Sequence, residues 1–147
     1  MIRLLEPRDI DAVLTIQSAC PEIARWTAWD YGRVAHGEMA GWVAEKDASV
    51  SAFLVARRIA DDLEILNFAV APRERRQGIG ATLLQEAFAW GRTFNAREVL
   101  LEVRTSNTTA LQFYERHGFT VAGRRKQYYV APIEDALVLV RPIEQLP

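Results

Sequence analysis

Arg75-Arg76-Gln77-Gly78-Ile79-Gly80 is the stretch whose reading decides the fold. Before it lies an apolar run, Leu63-Glu64-Ile65-Leu66-Asn67-Phe68-Ala69-Val70, closed by Pro72. After it, Ala81–Phe88 carries Leu83, Leu84, Ala87 and Phe88 at helical spacing, continued by Gly91. A strand, a short loop with two glycines and a helix start follow one another. Glycine at 78 and 80 permits positive φ and close backbone approach. The first N–H groups of a helix have no partner within it, and the helix dipole favours an anion there. Arg75 and Arg76 add positive charge. The stretch predicts an α/β chain that holds a phosphate-bearing cofactor.

Outward from it, Ile2–Glu6 reads as a first strand. Pro7 and Asp9 start a helix with Ile10, Val13, Leu14 and Gln17 on one face. Residues 20–40 are the least legible, with Trp26, Trp29, Tyr31 and Trp42 crowded among Pro21, Gly32, Gly37 and Gly41. A loop, a short helix near Ala28–Glu38 and a strand from Trp42 fit that segment. The aromatics serve either the core or a substrate-facing wall. Val50–Ile59 and Leu63–Val70 are strands joined by a turn at Asp61-Asp62. Val99–Val103 is a short apolar strand. Asn107 precedes a helix over Thr108–His117, which Gly118 ends. Phe119–Ala122 and Gln127–Val130 are β-rich, and Ala136–Val140 is a last strand before Pro142. The order gives one α/β domain over residues 1–147 with a mixed sheet.

With 147 residues, half of them hydrophobic and a quarter charged, the chain can build an ordinary globular core. A net charge of −1 supplies no argument for nucleic acid or membrane. Only Lys46 and Lys126 are lysines among 18 basic residues. Arginine suits bidentate phosphate contacts, and codon bias gives the same skew. Cys20 is the one cysteine, so no intrachain disulfide forms and a reducing compartment fits. With two histidines beside it, a Cys/His zinc site is not expected. The first residues lack a signal-peptide pattern, and no apolar run approaches the ~20 residues of a membrane span. A cytoplasmic protein is expected, with no nucleic-acid, membrane or metal partner. Oligomeric state is not legible.

Three phosphate signatures compete for the loop. A Walker loop requires Lys and a hydroxyl after its last glycine, and neither follows here. A dinucleotide fingerprint requires a third glycine where Leu83 stands, and it sits on a first strand–helix turn. The spacing that remains is Arg75-x-x-Gly78-x-Gly80. With it, the chain resembles the GNAT superfamily of acetyl-CoA-dependent N-acetyltransferases. A second stretch, Leu101-Glu102-Val103-Arg104-x-Ser106-Asn107-x-x-Ala110-x-x-Phe113-Tyr114-Glu115-x-x-Gly118-Phe119, is similar to the RimI-type ribosomal-protein-alanine N-acetyltransferases. Asn67–Val70 with Pro72, Arg124-Arg125-x-x-Tyr128-Tyr129 and Glu134-Asp135-Ala136 extend that similarity over roughly residues 63–143. Where that subfamily has Phe-Pro-Trp, this chain has Cys20-Pro21-Glu22.

The resemblance implies a mixed, mostly antiparallel sheet flanked by helices. It implies that Arg75, Arg76, Gln77, Gly78, Ile79, Gly80 and Ala81 hold the coenzyme A pyrophosphate. The backbone of Phe68, Ala69 and Val70 would pair with pantetheine, and an N–H near Val70 would polarise the thioester carbonyl. The acceptor implied is an amine, foremost the N-terminal alanine of a ribosomal protein, with small amines, amino acids or other peptides as alternatives. A non-catalytic acetyl-CoA sensor would carry the same loop.

Acyl transfer from a thioester to an amine needs a base, oxyanion stabilisation and a proton for the leaving thiolate. Glu102, inside the apolar run 99–103, is expected to be desolvated and so to take up a proton readily. It reads as the base, or else as a salt-bridged glutamate with Arg104. Tyr114 reads as the acid, or else as a core tyrosine. Asn107, Leu111 and Tyr114 share one helix face, so an Asn107 that touches the pantetheine arm sets Tyr114 two turns along the same stripe. Asn107 also suits an N-cap. Tyr128 and Tyr129 read as walls of a peptide groove, and Glu134 and Asp135 as carboxylates that attract a cationic N-terminus. A solvated hairpin with a charge pair is the plainer alternative. His36 and His117 read as surface or packing residues. Cys20 has no activating neighbour in the sequence.

Overall fold

The computed structural model describes residues 1–144. Its elements are β1 (Ile2–Leu4), α1 (Ile10–Ser18), α2 (Ala28–Ala35), β2 (Ala40–Lys46), β3 (Ser49–Ile59), β4 (Asp62–Val70), α3 (Ile79–Arg92), β5 (Glu98–Arg104), α4 (Thr108–Arg116), β6 (Thr120–Val130) and β7 (Ile133–Pro142). The strands make one seven-stranded sheet in the order β1-β2-β3-β4-β5-β7-β6. Neighbours run antiparallel except β4 and β5, which are parallel. The mixed, mostly antiparallel α/β architecture matches the sequence expectation. No helix among the described residues is long and apolar enough to cross a membrane.

Several boundaries differ, each for a local reason. β1 stops at Leu4 because the Asp9 carboxylate accepts the Glu6 N–H at 2.8 Å and starts a short helical turn. α2 stops at Ala35, before Gly37 turns the chain at φ 90°. α3 starts at Ile79, two residues before Ala81. The two β-rich pieces after residue 119 are one long strand, β6, and its hairpin partner β7 begins at Ile133.

Both sheet faces are covered, which is why the central strands read as apolar runs. On one face Leu63, Ile65, Leu83, Leu84, Phe88, Val99, Leu101, Val103, Tyr114 and Phe119 pack together. On the other, Val13, Ile16, Tyr31, Val34, Val43, Phe53 and Val55 form a second cluster under α1 and α2.

Two departures from regularity in β4 set up the site. The β3–β4 register passes from Val55↔Asn67 to Ala56↔Ile65, so Leu66 is an extra residue. Such a bulge exchanges the faces of every later side chain. Before it, Leu63 and Ile65 join the α3-side cluster; after it, Phe68 and Val70 do, while Ala69 joins the cluster under α1 and α2. Secondly, β4 and β5 pair only at Leu63↔Val99 and Glu64↔Leu100. Beyond those pairs the strands part and leave a gap in the middle of the sheet.

Candidate active site

The loop that follows β4 is shaped by two left-handed residues, Arg76 at φ 66° and Gly78 at φ 81°. Gly80 departs from the sequence reading. It lies inside α3 and is buried, and a Cβ built there would meet the Phe113 ring at 3.4 Å and the Phe68 ring at 3.5 Å. Gly78 therefore makes the turn, whereas Gly80 keeps the helix start close to the aromatic floor. Thr82 donates its N–H to Gly78 O at 3.1 Å. The N–H groups of Ile79, Gly80 and Ala81 precede that bond and need an external acceptor. They border a cleft of about 770 Å³ between the β4 end, α3 and α4.

Of the expected cofactor residues, Phe68, Ala69, Val70, Arg75, Arg76, Gly78, Ile79, Gly80, Ala81 and Asn107 line this cleft. Gln77 does not. Its side chain turns to Glu74 at 3.4 Å and to Lys46 at 3.3 Å. Arg75 braces the loop. Its Nε donates to Val70 O at 3.1 Å, and its Nη2 lies 3.3 Å from Cys20 Sγ and 3.6 Å from Glu22. Arg76 is exposed, with no ion-pair partner among the described residues.

Asn107 caps α4, its Oδ1 accepting the Ala110 N–H at 3.1 Å. Two turns on, Tyr114 is only 8% exposed, with ring centroids of Phe119, Phe113 and Phe68 at 5.2, 5.3 and 6.3 Å. Burial pushes its hydroxyl above the ordinary tyrosine range, so the phenol is protonated at neutral pH.

A second cavity, of about 270 Å³, is lined by residues of both β4 and β5 where their pairing has ended. Glu22, Ile23, Leu66, Glu102, Tyr128 and Tyr129 are among its walls. Glu22, Ile23, Phe68, Asn107 and Tyr114 border both this cavity and the cleft. The two spaces thus approach each other through the split sheet, with Glu102 on one side and the glycine loop on the other.

Glu102 is largely enclosed but charge-paired. Val99, Leu101 and Val103 point into the core, and the alternate residue Glu102 faces the smaller cavity with its side chain 17% exposed. Its ion-pair partner is Arg125, at 2.9 Å. Arg104 pairs with Glu134 instead, at 3.2 Å. The Tyr128 phenol also faces Glu102, and that interaction raises its pKa.

Glu134 and Asp135 line neither cavity. Glu134 accepts from the Ser106 N–H, from Thr105 Oγ1 at 3.0 Å and from Arg104. Those donors hold its carboxyl near about 2. Asp135 accepts from Arg124 at 2.6 Å and from the Gln127 N–H at 2.8 Å, and is likewise held low. Both carboxylates shape the β6–β7 hairpin, so their expected place beside the acceptor amine is corrected. Opposite Asp135, Lys126, Gln127 and Tyr128 bulge out between the Arg125↔Ala136 and Tyr129↔Glu134 pairs, with Gln127 at φ 53°. That bulge carries Tyr128 and Tyr129 to the smaller cavity. Arg104 stacks on Tyr129 at 4.2 Å.

The Trp-rich segment divides. Tyr31 and Trp42 are core, Trp29 is 71% exposed, and none of Trp26, Trp29, Tyr31 and Trp42 lines either cavity. The Tyr31 hydroxyl donates to Gln17 Oε1 at 2.5 Å and accepts from Asn67 Nδ2 at 3.0 Å. Gln17 in turn clamps the Trp26 backbone through both its amide atoms, at 2.9 and 3.1 Å. This network fixes the α1–α2 loop, which places Glu22, Ile23 and Ala24 on the smaller cavity. Sequence reasoning missed these three, together with Glu64 and Arg57 beside them. No spacing signal marks any of them. Cys20 is fully buried, and burial raises its thiol pKa, which removes it as a nucleophile. His36 is exposed, and His117 packs on Phe113 at 4.3 Å at the edge of the cleft.

Residues 10–119 match the Acetyltransferase (GNAT) family. The chain belongs to that family. The GNAT match contains the glycine loop, Glu102 and Tyr114. A Bacillus subtilis protein provisionally named a ribosomal protein bS18-alanine N-acetyltransferase is 34% identical over 140 residues, 94% of this chain and 92% of its own. The Escherichia coli (strain K12) ribosomal protein bS18-alanine N-acetyltransferase is 33% identical over 100 residues, 67% of this chain and 68% of its own. The crystal structure of the ribosomal-protein-S18-alanine N-acetyltransferase from Escherichia coli superposes with a TM-score of 0.85 at 26% identity, covering 100% of this chain and 96% of that one. This GNAT chain is an N-acetyltransferase, and acetyl-CoA is the family's acetyl donor. The cleft suits that donor: free helix N–H groups and Arg76 lie at one end for a pyrophosphate, and an apolar aromatic floor leads to Tyr114.

Proposed function

We propose that this GNAT enzyme, as one catalytic domain over residues 1–147, transfers acetyl from acetyl-CoA to the N-terminal alanine amine of a ribosomal protein in the cytoplasm. The observation that carries the reading is the meeting of two spaces beside the β4–β5 gap, where Glu22, Ile23, Phe68, Asn107 and Tyr114 border both. A donor in the cleft and an acceptor in the smaller cavity approach each other there without a covalent enzyme intermediate. Acetyl-CoA, when bound, supplies an acetyl group activated as a thioester.

The protein's own groups divide the remaining work. An α-ammonium has a pKa of about 7.7–8.0 and must lose a proton before attack. Glu102, on the acceptor side, takes it directly or through water. Tyr114, protonated and at the junction, donates to the departing thiolate. Tyr128 and Tyr129 wall the acceptor. The backbone of Phe68–Val70 holds the pantetheine arm, and an N–H near Val70 polarises the carbonyl. The first turn of α3 and Arg76 hold the pyrophosphate.

The test is thiol release from acetyl-CoA with peptides beginning in alanine, set beside polyamines and free amino acids. Turnover of the alanine peptides at the highest kcat/KM is expected. Turnover of small amines alone would make this a small-molecule acetyltransferase. Tight acetyl-CoA binding with no release by any amine would make it a sensor.

A further inference from the structure

Arg125 is the residue that the reaction, as read above, leaves without a task. It stands on β6, the outermost strand of the sheet, with its side chain 57% exposed. Its Nε lies 2.9 Å from Glu102 Oε1, and its guanidinium sits 5.7 Å from the Tyr128 ring. Glu102 is far less open, at 17%. A carboxylate that enclosed loses stabilisation if its cation leaves without replacement, whereas an arginine at an exposed edge returns to water at little cost. A cationic amine that arrives through the smaller cavity would supply that replacement.

We propose that Arg125 is a positioning residue that occupies the ammonium's place on Glu102 and is displaced by the acceptor. One cation exchanges for another, so the Glu102 carboxylate keeps a cationic partner throughout. The hairpin is built to allow it. The Asp135 carboxylate pins Arg124 and the Gln127 N–H on either side, so the strand holds its course while the Arg125 side chain swings out. Tyr128 remains against Glu102 and keeps the carboxylate oriented. The inference rests on Glu102 as the base and on an ammonium acceptor, and it adds a competitor for the acceptor site.

Arg125→Ala, Arg125→Gln and Arg125→Lys are compared with the wild type in the thiol-release assay, with an alanine-initial peptide as acceptor. Removal of the positive charge lowers the acceptor KM about two- to fivefold, the range of a half-exposed ion pair, and leaves kcat within about twofold. Arg125→Lys keeps the cation and holds KM near the wild-type value. An unchanged KM in the Ala and Gln variants would mark a merely structural salt bridge and overturn the proposal. A raised KM would also overturn it, since Arg125 would then hold the acceptor. Equal effects from Ala, Gln and Lys would show that charge is not the competitor, and would overturn it too. Thermal unfolding of each variant separates these effects from misfolding. If the wild type acetylates no peptide, the substrate reading fails by itself, and the same KM comparison is run on the amine that is turned over. Wild-type kcat in Glu102→Gln would fail the base reading independently of Arg125.

Discussion

Tyr114→Phe removes one oxygen from the junction of the two cavities. The ring contacts with Phe68, Phe113 and Phe119 are all made by carbon and survive the change. Burial alone perturbs the hydroxyl, and no protein group among the described residues hydrogen-bonds it. No protein hydrogen bond is therefore lost, and stability should stay within about 1 kcal/mol, or about 2–4 °C in melting temperature. Catalysis should suffer far more. A positioned proton donor contributes about 10²–10⁴ in rate, which corresponds to roughly 2.7–5.5 kcal/mol of barrier. Coenzyme A affinity should hold, because the cleft floor is unchanged. Steady-state thiol release, calorimetric titration with coenzyme A and thermal unfolding read the three quantities separately. A kcat within tenfold of the wild type, or a fall in coenzyme A affinity that accounts for the lost rate, would refute the reasoning. The same hydroxyl has a stability signature in alkali. Its folded pKa is raised above the unfolded value of about 10, so the folded state keeps its proton longer. Stability is then unaffected below pH 10 and falls as pH rises past it, by about 1.4 kcal/mol per pH unit for each such group. Chemical denaturation at pH 10–11 should therefore give Tyr114→Phe a shallower slope than the wild type by one group.

Three further outcomes follow from other parts of the molecule. Gly78 has φ 81°, and nothing lies within 4 Å of the place a Cβ would take, so Gly78→Ala meets only backbone strain; it should cost about 1 kcal/mol in unfolding experiments and weaken coenzyme A binding. The β2–β3 hairpin turns on Asp47 and Ala48, both at positive φ. Ala48→Gly should raise the melting temperature by about 2–4 °C, the equivalent of about 1 kcal/mol. Asp9, 3% exposed, accepts two 2.8 Å bonds from Arg3; Asp9→Asn should cost about 3 kcal/mol in urea unfolding. Because those bonds lower the folded pKa of Asp9, its contribution is present above the unfolded value of about 3.9 and lost as pH falls below it. The variant should therefore show a flatter acid limb.

Legibility in the sequence followed the range of the interaction. The glycine loop, the Asn107 cap and the Asn107–Tyr114 stripe were readable because each depends on residues within about two helical turns. The charge partners were not. Arg104 stands two residues from Glu102, so it was the natural candidate to pair with it, yet in a strand that spacing leaves both on one face with separate neighbours. Glu134 claims Arg104, and Arg125 reaches Glu102 across β7 from the sheet edge. Glu134 and Asp135 looked like substrate carboxylates because composition shows charge but not which backbone N–H groups absorb it.

Residues 63–88 on their own specified a strand, a glycine turn and a helix, and residues 101–119 specified a strand followed by a capped helix. Local φ/ψ preferences and hydrophobic period carry that much. Tertiary structure decided how the groups meet. The extra residue at Leu66 turns Phe68 and Val70 toward α3, and the early end of β4–β5 pairing opens the sheet between two cavities. The fixed α1–α2 loop and the β6 bulge then supply walls of the smaller cavity. A one-residue change of register reverses every side chain beyond it at little local energy, so only the packing of distant segments selects the register that brings Glu102 and Tyr114 to one gap.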